Sequence, residues 1–293
     1  KAYRNAFTTF DDVVRQFYID NAGFSELASV QAVEAIAQIN AMAYLKELLF
    51  DVSSAIRTHI GRTLVPYVET VNYGKDYIDL YCWFDRRVNA YRLNLDEDLL
   101  SVTSVTQPSG VMTSGTDYRL NTAHRSPNQS LLFASYPALS DFDDTLDIVG
   151  TWGYHENTAQ MWTSIGTLQG NITDSATTFV ATAGTVAAFE TYSYIKIDSE
   201  YLFVTSVVTG SPYTITVERG VNGTTSVAHL SAATISKFIP MPNVAQETRR
   251  LVIRAYNLRD ASNIVYVSGE EVRELVETEF KLNIPARVTF GVG

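Results

Sequence analysis

The chain has 293 residues, 46% of them hydrophobic, which is enough to bury a sizeable core and more than a single domain usually needs, so two structural units are expected and intrinsic disorder is not. Lys and Arg total 22 against 32 Asp and Glu, a formal charge of -10, the wrong sign for a protein that grips DNA by neutralising many phosphates. No run approaches the roughly 18 to 20 apolar residues of a membrane-spanning helix, and the single cysteine, Cys82, excludes an intrachain disulfide or a thiolate cluster.

In chain order, a short helix is expected first. Thr8 or Thr9 would cap it ahead of Asp11 and Asp12, with Val13, Val14 and Phe17 on its apolar side. A longer helix is predicted between Ser25 and Gly61, because Ser25 can cap, Glu26 suits the positive end of the helix dipole, and Leu45, Leu49, Val52, Ile56 and Ile60 repeat on one face. Gly61 is its expected terminator.

Strands are predicted next at Leu64 to Tyr73, Tyr77 to Phe84, Ala90 to Leu95 and Leu99 to Thr106, and shorter ones at Tyr118 to Asn121, Ser130 to Ala134 and Thr145 to Tyr154. Cys82, inside the second of these, is expected as a small buried hydrophobe. From about Thr167 to Ile239 charged residues thin out and Thr, Ser, Val, Ala and Gly alternate in short runs, the pattern of a compact all-β unit.

Helix signals resume after Pro240-Met241-Pro242. Asn243 and Gln246 have the spacing of a capping pair, and Leu251, Val252, Ala255 and Leu258 line one face. Ser268-Gly269-Glu270-Glu271 opens a further helix with a capping box, followed by Val272, Leu275, Val276 and Phe280 on its apolar side. The last ten residues, Ile284 to Gly293, are strand-like with no evident partner, so Arg287, Val288, Phe290 and Val292 are candidate contacts for an arm that adds to another subunit. The order reads as a core in two parts, 1–163 and 240–293, with an all-β domain at 164–239 inserted between them.

Reaction chemistry has little signal. His59, His124, His155 and His229 lie far apart and form no closely spaced ligand pattern, and each reads as an ordinary surface or partly buried histidine. Asp141, Asp143, Asp144 and Asp147 form the densest acidic cluster, which lacks the spacing of a calcium loop and reads as a solvated acidic loop. Phosphate-cradling glycine motifs and a nucleophile elbow are missing from the sequence. No catalytic residue, metal ligand or cofactor is therefore expected. Asn222-Gly223 reads as turn chemistry, since both residues tolerate positive φ.

Two sets of phrases resemble known proteins. Thr9 to Val14, Asp51 to Ile56 running into Ile60 to Leu64, Tyr91 to Leu95 with Leu99 to Val105, Asp117 to Leu120, Gly150 to Tyr154, Arg249 to Leu251 and Tyr256 to Asp260 together resemble the adaptor family of bacteriophage head-tail connectors. Ile197 to Val204, then Val217 to Thr225 and His229, are similar to a β module that recurs in phage virion proteins, with Gly220 and Gly223 suited to a tight turn and Arg219 placed to pair with Glu200 across strands.

The resemblance implies an α+β fold, a helical connector core with a small β-sheet region plus the inserted all-β domain. It further implies a non-enzymatic adaptor that forms a homo-oligomeric ring of the dodecamer type beneath the portal protein. The ring's other face would meet a neck or tail-terminator protein, and DNA would contact it only in transit, with no membrane involved. Such a protein is a virion component of the phage neck, assembled in the bacterial cytoplasm. Two other classes stay open at this stage. One is a tail-tip or baseplate protein whose β module binds glycan, and the other a cell-wall hydrolase using the Asp141 to Asp147 cluster.

Overall fold

The computed structural model describes residue 13 and residues 32–121, 128–183, 189–208, 212–261 and 268–282. Helix α1 (Ala32–Ile60) leads to strand β1 (Tyr67–Gly74), helix α2 (Lys75–Tyr81) and strands β2 (Cys82–Asp85), β3 (Ala90–Gln107), β4 (Gly110–Met112), β5 (Tyr118–Leu120), β6 (Asn128–Phe133) and β7 (Thr145–Trp152). Strands β8 (Trp162–Leu168), β9 (Thr178–Ala183), β10 (Tyr194–Ile197), β11 (Glu200–Val208), β12 (Tyr213–Glu218) and β13 (Thr234–Phe238) follow, then helices α3 (Pro242–Ala261) and α4 (Gly269–Glu279).

Thirteen strands against four helices among the described residues overturn the expectation of a helical connector core with a small β-sheet region. The protein is mainly β, with one large sheet and one closed barrel. The physical reason lies in β3. The two short strands expected at Ala90 to Leu95 and Leu99 to Thr106 are one strand of 18 residues. Register shifts along it let its first half pair with β2 and β6 and its second half with β7 and β4. A strand with four partners organises a sheet, where two short hairpins would only have decorated helices.

The chain divides into two compact units. One consists of Arg62–Met161 with the three residues Asn222–Thr224, and the other of the described residues of Lys1–Gly61, Trp162–Val221 and Thr225–Gly293.

In the first unit the sheet runs β1-β7-β3-β6-β5, with β2 and β4 also on β3. Directly opposed residues share a face, so Leu120, Leu131, Leu93 and Cys82 form one inward row and Tyr118, Phe133, Tyr91 and Phe84 the next. Leu131, Leu93 and Phe133 are fully buried. Trp152 is also fully enclosed, and its indole Nε1–H donates to the Glu69 carbonyl at 3.0 Å.

Tyr77 to Phe84, expected as one strand, is instead α2 followed by β2. Tyr77 and Tyr81, four positions apart in the helix, bring their tilted rings to 4.5 Å between centroids, and Tyr73 of β1 lies 4.7 Å from Tyr77, a helical spacing that alternation obscured. Cys82 is buried as expected, and burial pushes its thiol up to about 12. It should therefore ignore a thiol reagent at neutral pH until denaturant is added, then react fully. Rapid labelling of the folded protein would contradict its placement.

In the second unit α1 ends where expected: Gly61 takes φ +63 and its amide donates to the Arg57 carbonyl at 2.9 Å. Tyr44 of α1 meets Tyr256 of α3 with ring centroids 5.9 Å apart, and Phe50 meets Phe203 of the barrel at 6.2 Å. Helix α3 begins at Pro242, one residue before the expected Asn243 cap. Proline fits the first helical position because the N–H it lacks would have no helical partner there.

The Ser268 capping box is present, with the hydroxyl accepting from the Glu271 amide and the Glu271 carboxylate accepting from the Ser268 amide. Ser268→Ala should cost about 1 kcal/mol, seen as a lower thermal midpoint. An unchanged midpoint would show that the cap contributes nothing.

The barrel closes in the order β10-β11-β12-β9-β8-β13, with β13 returning to β10. Every pairing is antiparallel. Ile195, Leu202, Val204, Ile215 and Ile235 fill it and are fully buried, and closure leaves no free strand edge. Val13 is helical and buried, but the rest of the expected first helix lies outside the described residues, as do the arm positions Arg287, Val288, Phe290 and Val292.

Candidate functional site

The most organised polar constellation lies at one end of the barrel. Strands β10 and β11 are joined by the turn Asp198-Ser199, where Asp198 takes φ +52, and Glu200 opens β11 with no exposure to solvent. Arg219 follows β12 and reaches back to Glu200 in a two-pronged pair, Nε to Oε1 at 2.7 Å and an Nη to Oε2 at 2.8 Å. This is the pairing expected from the sequence. Planar guanidinium and carboxylate match in that geometry, which makes it strong as well as directional.

The remaining N–H groups of Arg219 are also used. They donate to the carbonyls of Thr173 and Ala176, each at 2.8 Å, and of Val227 at 2.6 Å. Glu200 accepts in addition from the amides of Gly220 at 2.9 Å and Val227 at 3.1 Å. His229 completes the set: Nε2 lies 2.8 Å from Glu200 and Nδ1 lies 2.8 Å from Asp198. The main chain of His229 pairs with Ile172 in both directions, lacing the β8–β9 loop to the β12–β13 loop.

Burial pushes the Glu200 carboxyl up, but the Arg219, Val227, His229 and Gly220 donors outweigh it and hold it below the usual carboxylate range. The side chains of Arg219, Glu200 and His229 are at most 5% exposed, whereas Asp198 stands 64% exposed. An arrangement in which the inner carboxylate and the guanidinium spend their hydrogen-bonding capacity on one another and on main chain can fix three loops in register.

The place of His229 in this network has no local signal in the sequence, because its partners Glu200 and Asp198 stand 29 and 31 positions away. The readable hint was Asp198-x-Glu200, two acids at a hairpin turn with one of them forced inward. Of the other histidines, His59 packs edge-on to Phe280 at 5.5 Å, His155 is buried with Nδ1 accepting from the Asn157 amide at 3.1 Å, and His124 lies outside the described residues.

The acidic cluster is partly spent on its own turn. One Asp144 oxygen accepts from the amides of Ser140 and Asp141, and Asp147 accepts from the Asn72 side chain at 2.7 Å. Among the described residues no group of three or more His, Cys, Asp or Glu side chains could hold a metal ion, and no helix is long and apolar enough to cross a membrane.

Fold and site together define a mainly β protein of two compact units, with a closed six-stranded barrel locked by a buried Arg-Glu-His network. No family model, characterised protein or solved structure matches the chain.

Proposed function

We propose that the chain is a non-enzymatic structural subunit of a tailed-phage neck, an adaptor that assembles into a homo-oligomeric ring between the portal and the next neck or tail component. The observation that carries this reading is the convergence at the barrel lock. The residues through which the β segment resembles a virion module, Glu200, Arg219, Gly220 and His229, are the ones that interlock, so the resemblance falls on a structural device rather than on scattered sheet residues. The scaffold of such a ring is here the sheet and barrel.

The order of connector-like phrases outside the barrel supports the same reading. The charge of -10 suits a channel that lets DNA pass without holding it. Arg287, Val288, Phe290 and Val292 would belong to an arm that adds to a neighbouring subunit. For the glycan-binding alternative, the exposed large apolar side chains of the barrel segment among the described residues are Val208, Val227 and Leu230, none of them aromatic.

Purified virions test the proposal. The chain should be present in fixed ratio to the portal, and an antibody against it should label the neck. Its absence from virions, or labelling at the tail tip, would overturn the assignment.

A further inference from the structure

Two surfaces of the sheet unit are unlike the rest of this acidic protein, and they complement one another. The first is the β2–β3 hairpin. Trp83, Arg92, Leu132 and Arg119 are directly opposed across β2, β3, β6 and β5 and so share one face of the sheet, opposite Cys82 and Leu93; Leu132 is buried there, while Trp83 and Arg119 reach solvent. Trp83 on this face is 39% exposed.

The hairpin tip adds Arg86 and Arg87, both exposed, and Arg119 is drawn to the tip by a hydrogen bond to the Val88 carbonyl at 3.3 Å. Arg92 is neutralised by Asp85 at 2.6 Å. Arg86, Arg87 and Arg119 form no ion pair among the described residues. An exposed Trp beside unpaired arginines is the composition of an interface anchor.

The second surface is the loop before β7. Phe142 is 76% exposed, with the exposed carboxylates of Asp141 and Asp143 on either side, while Asp144 turns back to cap the loop. An apolar side chain between two carboxylates matches an aromatic patch bordered by guanidinium groups, in hydrophobicity and in charge.

We infer that the Asp141-Phe142-Asp143 loop of one copy docks on the Trp83, Arg86, Arg87 and Arg119 surface of a second copy. Two different patches meeting in this way make a heterologous contact, which closes into a ring when the rotation between neighbours permits. The inference deepens the ring reading and rests on its claim that copies of the chain associate.

Sedimentation of the full chain over a range of concentrations, at low and high salt, tests it. Arg86→Glu with Arg87→Glu should weaken self-association by about tenfold or more, as loss of desolvated charge contacts does, and so should Asp141→Lys with Asp143→Lys. All four changes in one chain should restore it, and salt should weaken the unmodified protein. Unaltered urea midpoints in the variants exclude misfolding as the cause.

A wild-type chain that stays monomeric throughout, reversals without effect, or a combined variant that does not recover would each overturn the inference. If the Arg86→Glu, Arg87→Glu chain still enters virions and rings normally, the docking surface is wrong and the neck assignment stands. If a labelled DNA duplex binds the wild type and not that variant while association is unchanged, the surface serves nucleic acid and the inference falls.

Discussion

Arg219→Ala is expected to destabilise the barrel-bearing unit by roughly 3 to 5 kcal/mol, the cost of stripping one partner from a buried ion pair. The change leaves the Glu200 carboxylate enclosed without its counter-ion and removes donors from the carbonyls of Thr173, Ala176 and Val227. Arg219→Lys should recover little, because one ammonium cannot reproduce a planar fork that serves a carboxylate and three carbonyls. Urea unfolding followed by circular dichroism reads the effect as a shifted midpoint. A shift well under about 1 kcal/mol would mean that the network is ornamental.

The same network sets an acid limit. The folded-state pKa of Glu200 lies below its ordinary value of 4.5. Its contribution to stability is therefore fully present above that ordinary value and is lost as the pH falls through the lowered one. Glu200→Gln should flatten this part of the acid profile while lowering stability at neutral pH.

The second large effect is expected at Gly223. Asn222 and Gly223 take φ +51 and +83, and the Asn222 carbonyl accepts from the Val68 amide at 2.8 Å. The Asn222 side chain donates to the Pro66 carbonyl at 3.2 Å. A Cβ on Gly223 would overlap the Val68 carbonyl oxygen, backbone that cannot swing aside. Gly223→Val combines that overlap with a β-branched residue at positive φ, for roughly 4 kcal/mol of destabilisation. Gly170, with open space around it, is the control: Gly170→Ala should stay within about 0.5 kcal/mol of wild type. Equal tolerance at both positions would contradict the close approach.

Elements with strong local signals were legible in the sequence. Gly61 ends its helix, Ser268 and Glu271 form their box, Asn222 and Gly223 take the positive φ expected of them, and the charge-poor stretch after Thr167 is all β. The Arg219–Glu200 pair was also legible, because each residue sits at the end of a readable strand and so faces a predictable neighbour.

What failed depended on tertiary context. Alternation made Tyr77 to Tyr81 look extended, whereas the ring contact at fourth-residue spacing and the burial of Ile78 suit a helix. Asp96 to Asp98 looked like a turn between two strands, yet β3 runs through it. Asp98 is buried against Arg62 at 3.3 Å, and the Arg62 guanidinium lies 4.5 Å from the centre of the Tyr154 ring. Such long-range pairing carries no local trace, and missing it made the core look helical.

The central claim, a structural subunit that works as a ring, is tested most directly by native mass spectrometry of the purified chain with its cognate portal. The expected result is one closed multiple of the 32.5 kDa chain bound to the portal assembly. A chain that remains monomeric and unbound beside an intact portal would contradict the account.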